Sequence, residues 1–106
     1  MAAKHWSVFP GPEGHPAKLA WALKEALEKR GFRVGRALRT EWGYRIELPG
    51  MELALAEHPS EPGLLLVELK TLGRFAALAR ARFAKASDAV EAYLKARPEL
   101  RLEATP

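Results

Sequence analysis

Tyr44-Arg45-Ile46-Glu47-Leu48, then Pro49-Gly50, then Met51-Glu52-Leu53-Ala54-Leu55-Ala56-Glu57: the fold is decided by how this run is read. Tyr44, Ile46 and Leu48 alternate with Arg45 and Glu47. A strand sends successive side chains to opposite faces, so this spacing predicts a strand with one apolar and one charged face. Met51, Leu53 and Leu55 repeat the pattern after Pro49-Gly50, a pair that turns the chain. Two adjacent strands with a common apolar face require a cover, and the flanking sequence must supply it.

Downstream, the run through His58-Pro59-Ser60-Glu61-Pro62-Gly63 reads as a loop, and residues 64–70 form a near-continuous apolar run. Such a run predicts a central strand covered on much of both faces. Upstream, residues 32–40 lead through Glu41-Trp42-Gly43 into Tyr44, which fits a hairpin with a three-residue loop. Residues 4–9 read as a short first strand, stopped by Pro10-Gly11-Pro12.

Two helical patterns supply the cover. Pro16 stands where a first helical residue belongs and Gly31 where a C-terminal cap belongs, bracketing about four turns. Leu19, Ala20, Leu23, Ala26, Leu27 and the stem of Arg30 share one face, with Lys24, Glu25 and Glu28 opposite. The second stripe runs through Leu72, Phe75, Ala76, Ala79, Phe83, Ala86, Val90, Tyr93 and Leu94 up to Arg97-Pro98. Ser87 and Asp88, with Glu91 following, also resemble a capping box, which allows a break or kink there. Residues 100–104 can add a last short strand.

The expectation is one α+β domain over residues 1–106, in the order β-α-β-β-β-β-α with a final short strand. It is a two-layer sandwich: a four- to five-stranded, mainly antiparallel sheet with both helices on one face. With the last strand included, the outline approaches a ferredoxin-like sandwich with extra strands.

At 106 residues, 48% hydrophobic and 28% charged, the chain has ordinary globular composition. No apolar run reaches the roughly 18–20 residues of a membrane span, and the N-terminus lacks a signal pattern, so a cytoplasmic location is expected. The absence of cysteine excludes disulfides, thiolate metal sites and cysteine nucleophiles. Few Met, many Arg, Glu and Ala, and loop-confined proline resemble a heat-adapted, thermophile-like composition, a bias that a GC-rich genome also produces.

Charge is distributed unevenly. Residues 1–69 hold nine bases and nine acids, and residues 88–106 three bases and four acids. The formal +4 therefore comes from the stretch between, where Lys70, Arg74, Arg80, Arg82 and Lys85 occur without an acid. Arg74, Arg80, Arg82 and Lys85 are candidate contacts to an anion or nucleic acid. The competing reading is a solvated helix face whose guanidiniums pair with acids or lie over the core.

Aromatic residues supply the second set of candidates. Trp21 projects on the polar face of the first helix near Lys24 and Glu28, either as an interface residue or tucked beneath Pro10 or Pro12. Trp42 and Tyr44 at the hairpin tip, beside Arg45, can grip a ring or peptide by stacking, or can pack across the hairpin and close the core. His5, His15 and His58 show no metal-binding spacing, and no serine or threonine sits in a nucleophile motif. No glycine pattern for a nucleotide or cofactor is present, and none is expected. Glu47, Glu52 and Glu68 are expected to pair with Arg33, Arg39, Arg45 and Lys70 on a solvent-facing sheet surface.

Leu19, Leu23 and Leu27, then Lys29-Arg30-Gly31-Phe32, then Glu41-Trp42-Gly43-Tyr44 resemble a group of small uncharacterised bacterial α+β domains. In these a helix ends in an RGF or RGY turn and a hairpin carries an acidic-aromatic-glycine tip. The resemblance covers under a third of the chain, implies a fold, and transfers no functional residue.

The first expectation is an interaction or regulatory module without catalytic activity, contacting a protein partner or a second copy in a homodimer through Trp21, Trp42 and Tyr44. The alternative is a nucleic-acid-binding accessory protein using the basic segment 70–87.

Overall fold

A computed structural model describes residues 3–10, 15–61, 63–73, 80–97 and 100–103. The elements are β1 (Ala3–Phe9), α1 (Pro16–Lys29), β2 (Ala37–Arg39), β3 (Gly43–Leu48), β4 (Met51–Glu57), β5 (Leu65–Thr71), α2 (Arg80–Lys95) and β6 (Arg101–Glu103). They form one antiparallel sheet in the order β2-β3-β4-β5-β1-β6. The expected α+β class, element order and final strand are all present. In topology this is the ferredoxin-like arrangement with its central hairpin lengthened into a four-stranded meander.

Period-2 patterning translates directly into burial. Ile46 and Leu48 on β3, Met51, Leu53 and Leu55 on β4, and Leu65, Val67 and Leu69 on β5 all turn to the helical side. There they meet Leu19, Leu23 and Leu27 of α1 and Ala86, Ala89, Val90 and Leu94 of α2 in one continuous core. Complete burial of such a leucine or valine contributes roughly 1.5–3 kcal/mol, so this two-layer core is the main source of stability.

Three local expectations change. Strand β5 is central, but its burial alternates strictly, so only one of its faces is covered. The apolar run misleads because Leu66 lies half-buried on the open face between Ala56 and Ser7. Strand β2 is shorter than 32–40, since Phe32 and Val34 fill the core edge before regular pairing begins. Gly35 N–H still donates to the Glu47 carbonyl at 2.9 Å, so the segment follows β3 loosely. Ser87 and Asp88 lie inside one uninterrupted helix, because Ser87 is buried against the core rather than free to cap. Residues 74–79, and with them Arg74, lie outside the described residues.

Helix α1 ends as its termini imply. His15 is the N-cap, its Nδ1 accepting from Ala17 N–H at 3.1 Å, and Pro16 needs no amide partner. At the other end Gly31 N–H bonds to the Glu28 carbonyl and Phe32 N–H to the Leu27 carbonyl, a Schellman pair. Gly31 has φ +91°, a left-handed conformation that a side chain would disfavour. Phe32 is thereby delivered to the core edge with Arg30 and Arg33 exposed on either side.

The open sheet face carries an ion-pair ladder. Arg45 Nε lies 3.2 Å and Lys70 Nζ 3.4 Å from the two oxygens of Glu52, and His5 pairs with Glu68. Arg33 and Arg39, also expected in the ladder, are elsewhere.

A second polar tie joins β1 to α2. Lys4 Nζ is 3.4 Å from Glu91, whose other neighbours are Lys95 and the buried Trp6 indole. Partial burial opposes ionisation of Glu91, but the Lys4 hydrogen bond and charge, Lys95, and the Trp6 N–H dipole outweigh it. The carboxyl is held below its usual range. Trp6 Nε1 makes no hydrogen bond of proper geometry, so its contribution is the weaker one. A depressed carboxyl pKa stabilises the fold above the unfolded-state value near ~4.3, and this gain is lost as pH falls through the folded-state value. Glu91→Gln is therefore expected to lower the urea midpoint at pH 7 and to match wild type in strong acid. Equal midpoints at pH 7 would remove this tie from the account.

Candidate anion-binding groove

Three elements build a groove of about 800 Å³. The turn after α1 contributes Arg30 and Arg33, α2 contributes Arg82, Lys85 and Asp88, and Phe32 and Pro49 supply apolar surface with the fully buried Met51 behind them. Arg82, Lys85 and Asp88 follow at intervals of three, which places them along one side of α2. The β3–β4 turn is held in place from beneath by Leu72 N–H, which donates to the Gly50 carbonyl at 2.9 Å.

Charge in the groove is one-sided. Arg30, Arg33, Arg82 and Lys85 are exposed, and none forms an ion pair among the described residues. Four cations facing one concavity with one carboxylate focus a positive field there. Helix α1 points its partial negative end toward this region. The Leu27 and Glu28 carbonyls are occupied by the Schellman bonds, so the cations prevail.

Of the basic residues singled out by composition, Arg82 and Lys85 line the groove. Arg80 is exposed outside its described walls, Lys70 belongs to the sheet ladder, and Arg74 lies outside the described residues. Arg30 and Arg33 were missed. Arg30 reads as a stem on the apolar stripe of α1, yet it is the exposed C-cap residue. The available signal was a base on either side of Gly31-Phe32, a turn that projects both outward.

The aromatic candidates separate. Trp21 is 56% exposed with Lys24 Nζ 5.3 Å from its ring centroid, and Trp42 is 69% exposed. Tyr44 packs half-buried against the core, so only one tip aromatic is free. Trp42 and Tyr44 border a smaller cleft of about 350 Å³ with His15, Arg39, Glu41 and Glu57. Trp21 is not among the described walls of either cleft.

The histidines have structural partners. Beyond the His15 cap and the His5–Glu68 pair, His58 Nδ1 accepts from the amides of Ser60 and Glu61 at 3.1 and 3.2 Å, closing its loop. Among the described residues no group of three or more His, Asp or Glu is placed to hold a metal ion. No described helix is long and apolar enough to cross a membrane. Compared with known proteins, the chain matches no family model and no curated sequence.

Proposed function

We propose that the protein is a nucleic-acid-binding accessory module that holds a phosphate backbone in the groove between the α1–β2 turn and α2. One observation carries the reading: four exposed cations from two separate elements face one concavity that holds a single carboxylate, and none of the four forms an ion pair among the described residues. A solvated helix face needs no such convergence, because its charges repel one another unless a ligand neutralises them.

Phosphate contacts release condensed counterions, so affinity falls with salt by ~0.7–0.9 log units per contact per tenfold change in concentration. Four contacts give a log–log slope of roughly −3. Labelled oligonucleotides titrated from about 50 to 200 mM salt are expected to show that slope. Absence of binding at the lowest salt would end the proposal.

Exposure of Trp21 and Trp42 supports a second reading, contact with a protein partner or a second copy. Under that reading Trp21→Ala lowers the sedimentation mass while leaving the melting temperature within a few degrees, since the side chain is outside the core. Identical monomer masses for both proteins would discard self-association.

A further inference from the structure

The carboxylate of Asp88 is the feature that phosphate binding alone does not explain. It is exposed, lines the same groove as the four cations, and makes no hydrogen bond or ion pair among the described residues. A site for phosphate alone is weakened by a carboxylate in its wall. A carboxylate can only accept hydrogen bonds, so its complement is a donor: a base amine, a ring N–H or a ribose hydroxyl.

The remaining walls fit the same ligand. Phe32 and Pro49 give the groove an apolar side beside its cationic one, and its volume lies within the roughly 300–1,000 Å³ of sites that enclose one small molecule. A duplex presents a convex, stacked surface and is read by elements that project into its grooves. A concavity of this size admits instead a nucleotide that has left the stack.

We infer that the groove receives one unpaired nucleotide of a single strand, its phosphates on Arg30, Arg33, Arg82 and Lys85 and a base or ribose donor on Asp88. This rests on the nucleic-acid-binding reading and makes Asp88 a specificity-determining residue within it.

The test turns on the sign of one substitution. Asp88→Ala raises the positive charge of the groove, so electrostatics alone tightens binding of every polyanion. Loss of a donor contact instead loosens single-strand binding by roughly tenfold, the scale of one charged hydrogen bond. Three probes are titrated against wild type and Asp88→Ala at about 50 mM salt: a mixed-sequence single strand, the duplex of the same sequence, and inorganic polyphosphate. The inference expects wild type to prefer the single strand, and the substitution to weaken that complex while tightening polyphosphate. Asp88→Asn, which keeps one acceptor oxygen, is expected to fall between. Tighter or unchanged single-strand binding by Asp88→Ala overturns the inference, as does a duplex bound as tightly as the single strand. In both cases the nucleic-acid reading survives if groove arginines are still required. No binding of any probe removes both.

Discussion

Gly43→Ala is expected to destabilise the protein by about 3 kcal/mol, the upper part of the range for a forced steric insertion. A Cβ at Gly43 would overlap the Leu55 carbonyl oxygen and come within 2.9 Å of the Ala56 Cα. Both belong to the backbone of β4, which is paired on its other side to β5, so neither can yield like a flexible side chain. Relief requires β3 to withdraw from β4 where Gly43 faces Ala56. The hairpin tip bonds from Thr40 N–H to the Gly43 carbonyl, and from Glu57 N–H to the Trp42 carbonyl, would be strained with it. For a domain of this size the cost corresponds to a melting temperature lower by roughly 10–15 °C. Trp42→Ala, one residue away and exposed, is expected to stay within about 0.5 kcal/mol. A Gly43→Ala protein that melts with wild type would show that the two strands are not so closely apposed.

Reversing two groove charges, Arg33→Glu with Arg82→Glu, is expected to weaken oligonucleotide binding by at least about a hundredfold near 100 mM salt, because phosphate contacts dominate affinity. The salt slope should also flatten by one to two units, roughly one for each lost contact. Stability is expected to hold within about 0.5 kcal/mol, since both side chains are exposed and unpaired among the described residues. The pair of substitutions takes the formal charge from +4 to zero. Arg36→Glu with Arg80→Glu changes it equally and affects exposed residues outside the described groove walls. This control separates a site from a general attraction. Equal losses in the two double variants would leave only net charge as the cause.

The cations of the open sheet face differ from those of the groove in being matched by carboxylates. Glu52 satisfies Arg45 and Lys70 at once, and Glu68 satisfies His5. Cross-strand pairs of this kind are local to a sheet surface and screen one another. Arg30 and Arg33, exposed at the Schellman turn, enter no such pair among the described residues.

What could be read from the residues in order was whatever depends on backbone geometry within a few positions. The alternation across Tyr44–Leu48 and Met51–Glu57 implied two strands with a buried face, because side chains on a pleated strand must alternate. Pro16 and Gly31 marked the ends of α1, because one lacks an amide hydrogen and the other tolerates positive φ. Other features depended on elements distant in the chain. Ser87-Asp88-Glu91 looked like a cap until Ser87 was needed against the core. Gly43 looked like a turn residue until β4 came within contact distance. Arg30 and Arg33 precede Arg82 and Lys85 by about fifty residues, and only the sheet order β2-β3-β4-β5-β1-β6 carries the second helix back beside the end of the first. Periodicity is a property of one segment, whereas a binding surface is a property of how segments pack; the kind and order of the strands and helices were therefore determined by the sequence alone, and their limits and the groove only by the tertiary structure.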